Sequence, residues 1–554
     1  MILASEDQIR AYTELGCWGR KTLLEDFQAH ARRTPGREAL VDPPNKEALL
    51  GTPPERVTYE DLARAVDGTA SALAASGVGK DDIVIVQLPN CWELAMLYLA
   101  VARSGATLSP IPVQWRSKEL AYVAELTEAK AFITAEAFHG FKHLSMGREV
   151  QAKVPSLCHV FSYEDLRKMI REPADATRLD AVPIDANDIF TICWTSGTEA
   201  QPKGCPLSHN NWRCQSDMAA AAGMEPDDTL LTAGPLVNMG AVGTVLVPWI
   251  LLGGKIVLHH PFEPMLLLQQ LVQEKINYTL LVPAVLNLLL KHPAAADVDL
   301  SHIRAITVGS APPSLWSMQE FKKRWNIDIG NIWGQNEGTG FISGVRDVPD
   351  INLRVDHFPR YGVEGHPWSI RMAQFVQTKI IGPEGNDLSE HDAVGELLYK
   401  GPNNIPGYFR RPDLNETAFD EEGFLRTGDL FQVKGKLHLK FYDRAKDIII
   451  RGGMNISAQE VENLILAHPD VQDAAAIGMP DDNLGERTCA YVVPRPGKTV
   501  TLESLVAFMK EQGSAVYKLP ERVEVVQAIP RNPVGKIIKK ELRKDIAEKL
   551  AAKR

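Results

Sequence analysis

Ile189-Phe-Thr-Ile-Cys-Trp194-Thr195-Ser196-Gly197-Thr198-Glu199-Ala200-Gln-Pro-Lys203-Gly204 is the stretch on which the fold turns. Its first six residues are β-branched, aromatic or small and apolar, which reads as a buried strand. The run then breaks into hydroxyl residues and glycine and ends on a lysine. Such a loop lets backbone N–H groups and side-chain hydroxyls surround phosphate oxygens, while the lysine supplies a cation. A P-loop is excluded, because Lys203 precedes Gly204 and no helix-opening Lys-Ser/Thr pair follows. A strand that delivers a polar loop at its C-terminal end is how open α/β sheets present ligands.

The same texture extends on both sides. Strands are expected at Asp82–Leu88, Lys255–His259, Tyr278–Val282, Ala305–Val308 and Ile327–Ile332. Amphipathic stretches at Trp92–Arg103, Pro264–Lys275, Ala284–Lys291 and Ser314–Trp325 read as the helices between them. This alternation predicts an α/β protein, a large layered N-terminal body with parallel sheets. Beyond residue 430 the pattern changes. Phe431–Tyr442 reads as a hairpin turning at Lys434-Gly435-Lys436, and Ser457-Ala-Gln-Glu460 as a capping box. Strands at Val471–Gly478 and Thr488–Val493, a helix near Thr501–Glu511 and a basic terminal helix complete a small α+β domain. Two domains are therefore expected, 1–442 and 443–554.

At 554 residues with a formal charge of −10, the chain suits a multidomain globular enzyme and not a nucleic-acid binder, since no basic stripe is interleaved with aromatics. Seven scattered cysteines without a C-x-x-C pair fit free thiols in a reducing cytoplasm, and no secretory leader is expected. Thr229–Gly254 carries no charge and is long enough to span a bilayer, but its prolines, glycines and Asn238 favour a buried segment that lines a pocket. His259-His260 face opposite ways on a strand and read as structural histidines. Ser208-His209 lacks the Gly-x-Ser-x-Gly elbow of a hydrolase.

Other polar clusters follow in order: Gly309-Ser310-Ala311-Pro, Trp333-Gly334-Gln-Asn336-Glu337-Gly338, Gly395-Glu-Leu, Gly407-Tyr-Phe, Gly423-Phe-Leu-Arg-Thr-Gly-Asp429, Asp443-Arg444-Ala-Lys446, Gly452-Gly453-Met454-Asn455 and Pro530-Arg-Asn-Pro-Val-Gly-Lys536. This series, from about residue 20 to about residue 545, resembles the adenylate-forming superfamily of acyl-CoA synthetases, peptide-synthetase adenylation domains and luciferases. Its texture is most similar to cyclohexanecarboxylate and aryl acid–CoA ligases.

The resemblance implies an AMP-forming acid–thiol ligase that uses ATP, Mg²⁺ and coenzyme A. Thr195, Ser196, Gly197, Thr198 and Lys203 would hold phosphates, and Trp333 with Gly334 and Gly309-Ser310-Ala311 would flank adenine. Glu337 would position the metal beside Asn336, a site that suits a carboxylate. Asp429 would take the ribose hydroxyls, Arg444 the phosphate or ribose region, and Lys446 would be the hinge of a mobile C-terminal lid. Lys536 would be the catalytic cation on the substrate carboxylate and α-phosphate, with Gly452, Gly453 and Met454 near CoA. The acyl pocket would fall on Asn238, Met239, Val308, Gly338, Thr339 and Gly340. Asn238 can reach a ring substituent or satisfy the pocket backbone.

Three positions depart from the usual pattern: Glu199-Ala200 in place of Thr-Gly, Asn336 in place of threonine, and Asn238 in place of histidine. A carboxylate at 199 is expected to turn away from a triphosphate. With no Asp, Glu, Lys or Arg in the uncharged segment, amino acids and diacids are disfavoured, leaving an alicyclic or aromatic monocarboxylate. The alternative acceptor is a carrier-protein thiol loaded by a stand-alone aryl acid adenylating enzyme. A catalytically silent nucleotide-binding regulator is disfavoured by the joint presence of Lys203, Glu337, Asp429 and Lys536.

Overall fold

The structure is a computed structural model that describes residues 1–195, 201–295, 298–481, 483–532 and 536–551. The described residues form two compact units, one of 1–195, 201–377 and 400–423, the other of 378–399 and 424–551.

Two sheets organise the first unit. One runs in the order His159–Ser162, Ala131–Thr134, Ile83–Gln87, Thr107–Pro110, Ile189–Trp194, Gly204–Ser208. Its neighbours pair in parallel except for the last, which turns back antiparallel on Ile189–Trp194. The other runs Gly340–Ser343, Asp328–Gly334, Ala305–Val308, Tyr278–Leu281, Thr229–Thr232, Lys255–Leu258, Glu38–Val41, Arg56–Thr58. Only its two outer strands are antiparallel. In register, Val308 lies beside Leu281 and Asn331, so the segments that follow these strands emerge side by side. That arrangement gathers ligand-binding loops at one sheet edge.

The elements expected in this unit have ends that match or lie within two residues of those found, whereas the strands expected at Val471–Gly478 and Thr488–Val493 run three residues further, to Asp481 and from Gly485. Trp92–Arg103 is a helix buried along its whole length, as its nearly continuous apolar sequence requires. Ser314 caps the helix Leu315–Trp325 by accepting from the Ser317 amide. The uncharged segment is not one helix. A strand, Thr229–Thr232, is followed by the helical turn Met239–Ala241, a π-helical turn Val242–Leu246 and the helix Val247–Leu252. Among the described residues, no helix is long and apolar enough to cross a membrane.

In the second unit, Val394–Lys400, Leu425–Lys434 and His438–Arg444 make an antiparallel ladder. The last two strands turn at Gly435, whose φ of +68° suits glycine. A second sheet pairs Val471–Asp481 with Gly485–Pro494, flanked by Ile449–Arg451 and Arg522–Val525. Val461, Ile465, Leu505 and Met509 pack on one side of it, and Leu542 and Ile546 of the terminal helix on the other. The division foreseen at 442/443 falls inside this unit, within the strand His438–Arg444. The capping box is half formed: Ser457 Oγ accepts from the Glu460 amide at 3.1 Å, but the Glu460 carboxylate takes Lys518 at 2.6 Å. A full charge outbids a second amide for the same oxygen.

Candidate active site

Thr195 follows the strand Ile189–Trp194 and Lys203 precedes the strand Gly204–Ser208. The Thr195 amide donates to the Lys203 carbonyl at 3.0 Å, and the Lys203 amide donates to Thr195 Oγ1 at 3.2 Å. Ser196, Gly197, Thr198, Glu199 and Ala200 lie outside the described residues. Lys203 Nζ donates to the Tyr408 hydroxyl at 2.7 Å and lies 4.1 Å from the centre of that ring. The same hydroxyl donates to Glu337 Oε1 at 2.8 Å, and Nζ is 3.8 Å from that carboxylate oxygen. Burial and the Glu337 charge push the Tyr408 phenol well above its ordinary value, so it stays protonated and can donate.

Glu337 sits in a tight turn, 8% exposed. The Gln335 amide donates to the Thr339 carbonyl, and the Gly338 amide to the Gln335 carbonyl, both at 3.1 Å. Gly338 has φ +90°, and a Cβ there would collide with the Asn403 carbonyl, so no other residue fits. Asn336 joins two segments. Its Nδ2 donates to the Trp194 carbonyl at 2.8 Å, and its Oδ1 accepts from the Met239 amide at 2.8 Å. The strand Ile189–Trp194 and the interior of the uncharged segment are thereby fastened to one amide group.

Asn238 caps the turn Met239–Ala241, accepting from the Gly240 amide at 3.1 Å. Of the two roles open to it, this structure displays backbone satisfaction. The π-helical turn that follows holds Gly243 so close to Met239 that a Cβ would lie 2.9 Å from its sulfur. A Cβ on Gly340 would meet the Met218 methyl at 2.9 Å, while Thr339 and Val308 are fully buried.

Ser310 has φ +73° directly after the strand Ala305–Val308, an uncommon conformation for a side-chain-bearing residue and one that clusters at functional sites. Gly309 packs on Ile332 of the adjoining strand, and Ala311 follows. Trp333 is buried with its ring stacked on Phe341, centroids 5.3 Å apart, which leaves at most one face for a base.

The remaining candidates belong to the second unit. Asp429 and Arg444 are opposite each other in the ladder, with Nε 3.8 Å from Oδ1. Asp443 accepts from Ser457 Oγ at 2.9 Å and the Gln459 amide at 3.0 Å, pinning the ladder's end to the next helix. Lys446 lies in the short 3-10 turn Ala445–Asp447, with its side chain exposed. Arg543 donates to the Lys446 carbonyl at 3.0 Å and to Asp447 at 2.8 Å. Gly452 and Gly453, with φ +56° and +82°, turn an exposed hairpin that runs into Met454. Asn532 and Lys536 clasp each other: the Lys536 amide donates to Asn532 Oδ1 at 2.9 Å, and the Asn532 amide to the Lys536 carbonyl at 2.8 Å.

The residue that sequence reasoning passed over is Tyr408, quoted only as part of Gly407-Tyr-Phe. His259 is buried between Gln270 Oε1 and the Glu263 amide, and no metal-holding cluster of three His, Cys, Asp or Glu occurs among the described residues. Ser208 caps a helix through Asn211, and burial pushes the adjoining His209 down to about 3.

The profile of the AMP-binding enzyme family matches residues 27–409, and that of the AMP-binding enzyme C-terminal domain matches 460–536. The chain is 32% identical to a medium-chain fatty-acid–CoA ligase of Escherichia coli, over 99% of this chain and 94% of that one. It is 29% identical to a 2,3-dihydroxybenzoate-AMP ligase of Bacillus subtilis, over 99% and 98%. The ATP-bound crystal structure of MatB from Rhodopseudomonas palustris superposes with a TM-score of 0.80 at 25% identity, covering 95% of this chain and 99% of that one.

Proposed function

Because this chain belongs to the AMP-binding enzyme family, we propose that it is an ATP-dependent carboxylic acid–CoA ligase acting through an acyl-adenylate on an alicyclic or aromatic monocarboxylate. The observation that carries the reading is the convergence of Lys203, Tyr408 and Glu337, a phosphate-loop cation and a buried carboxylate brought within 3.8 Å from two different sheets.

In the first half-reaction the substrate carboxylate oxygen attacks the α-phosphorus of ATP, and pyrophosphate leaves. Lys203 binds phosphate oxygens, Trp333 and Ser310 bracket adenine, and Asp429 accepts from the ribose hydroxyls beside Arg444. Lys536 bridges carboxylate and α-phosphate and stabilises the charge that develops between them. A single carboxylate, Glu337, completed by phosphate oxygens and water is the donor set that Mg²⁺ favours, and the ion would lower repulsion between triphosphate and carboxylate. In the second half-reaction the CoA sulfur attacks the acyl carbonyl and AMP leaves. We assign Gly452, Gly453 and Met454 to that step, with residues 443–554 as a lid that turns about Lys446 between the two.

The uncharged segment supports a neutral acyl body, because a substrate ammonium buried there would lie unpaired at a cost of several kcal/mol. No membrane-crossing helix among the described residues and seven free cysteines fit a cytoplasmic enzyme. ATP–pyrophosphate exchange across a panel of acids tests the reading, followed by CoA thioester formation. Cyclohexane- and benzene-type monocarboxylates are expected to outperform palmitate, octanoate and every amino acid. A preference for a fatty chain or a zwitterion overturns the pocket assignment, and absence of exchange with all acids overturns adenylation. Exchange without thioester on free CoA favours the carrier-protein acceptor, consistent with relatives that are named aryl acid–AMP ligases.

A further inference from the structure

We propose that Tyr408 is a positioning residue for adenylation, a spacer whose hydroxyl keeps Lys203 and Glu337 from closing into a direct ion pair before nucleotide binds. The inference rests on the adenylating reading and goes beyond it, since it concerns the state of the site before MgATP arrives.

Lys203 and Glu337 carry opposite charges beside the ends of strands from two different sheets, and a contact pair between them would form at about 2.8 Å. They stand instead at 3.8 Å, with the Tyr408 hydroxyl accepting from one at 2.7 Å and donating to the other at 2.8 Å. The backbone around Tyr408 is fixed to both sides of the site. The Ile405 amide donates to the Glu337 carbonyl at 3.0 Å, and the Phe409 amide to the Gly204 carbonyl at 2.9 Å. Asn415 clamps Tyr408 itself, its Oδ1 accepting from the Tyr408 amide at 2.8 Å and its Nδ2 donating to the Tyr408 carbonyl at 3.3 Å. Gly407 permits that clamp, because a Cβ there would lie 2.7 Å from Asn415 Nδ2. The phenol is therefore held by backbone contacts that do not depend on either charge. Its neutral hydroxyl satisfies both ions weakly enough to be exchanged for phosphate and metal, whereas a contact pair at a carboxylate only 8% exposed would have to be broken first.

Tyr408→Phe keeps the ring, the clamp and the ring–ammonium contact and removes only the spacer. The variant is expected to raise the KM for MgATP about tenfold, the scale of one charge-assisted hydrogen bond, with kcat at saturating MgATP within about twofold. Calorimetric titration of the acid-free enzyme with MgATP should show the same fall in affinity. That titration also separates the two claims, because it reads the spacer even if no acid in the panel supports exchange. Unchanged MgATP affinity in Tyr408→Phe, or a loss confined to kcat, overturns the proposal. If Tyr408→Phe does not fold, Asn415→Ala releases the ring while keeping the hydroxyl. It should weaken MgATP in the same direction by a few-fold, and unchanged affinity there also overturns the proposal.

Discussion

The surroundings of Glu337 and of Lys536 are built in opposite ways. Glu337 is buried, its turn closed by two backbone bonds, its neighbour Asn336 fastened to two further segments and its carboxylate held by Tyr408. Lys536 is half-buried and hydrogen-bonded through its backbone to Asn532, and the Gly452-Gly453 hairpin of the same unit is exposed. The difference teaches where preorganisation is invested. Groups proposed to meet nucleotide in both half-reactions are set in a packed scaffold, whereas groups proposed for one half-reaction each lie on exposed or half-buried segments that are cheap to reorient.

Lys536→Ala is the sharpest way to break this contrast. Acyl-AMP formation should fall by about 10² to 10³, the scale of a lost transition-state donor, while supplied acyl-AMP and CoA still give thioester within a few-fold. Equal losses in both half-reactions would show that Lys536 is no single-step residue. Lys446→Pro comes next. Proline fixes φ in the 3-10 turn, so acyl-AMP formation should stay near normal while thioester formation drops at least about tenfold. A variant unimpaired in both steps removes the hinge from Lys446.

On the packed side, pH reports rigidity. His209 opens the helix after Gly204–Ser208, is fully buried, and is held near 3, below its ordinary 6.5. Between those values the unfolded chain binds a proton that the folded chain refuses, so stability falls as pH drops from about 6.5 towards about 3. Melts across that window should show the slope in the wild type, up to about 1.4 kcal/mol per pH unit, and flatten in His209→Gln. Equal slopes would mean that the imidazole reaches water. The smallest effect is expected at Gly453→Ala. With φ +82° and nothing near its missing Cβ, the change costs backbone strain alone, about 1 kcal/mol in the second unit. Thioester formation should slow by a few-fold and adenylation should not change. Slowed adenylation would detach the hairpin from the second half-reaction.

Much of this was legible in the sequence, for local reasons. Ala305–Val308, Ile189–Trp194 and Trp92–Arg103 have observed ends that match the expected ones, because runs that stop at Gly309, Thr195 and Ser104 leave little choice. Phosphate-loop, metal and ribose candidates stood out because small, charged residues interrupt those runs. What stayed hidden depends on distant partners. Tyr408 meets Glu337 across 71 positions and Lys203 across 205, and nothing in a single chain couples such residues. Glu460 satisfies a local capping pattern on paper, yet Lys518, 58 residues on, takes its carboxylate. Trp333 reads as an open platform until its strand is paired, when Phe341 falls opposite and covers it.

The double attachment of Asn336 also sets the unit of exchange for anyone re-engineering this enzyme. Transplanting the segment 229–254, proposed to line the acyl pocket, from a relative with threonine at position 336 brings in a backbone shaped against that threonine, while this chain still presents the Asn336 carboxamide oxygen at position 239. The segment and residue 336 therefore form one cassette, although they lie 97 positions apart in the chain, and grafts that carry both should keep ATP turnover where grafts of the segment alone lose it.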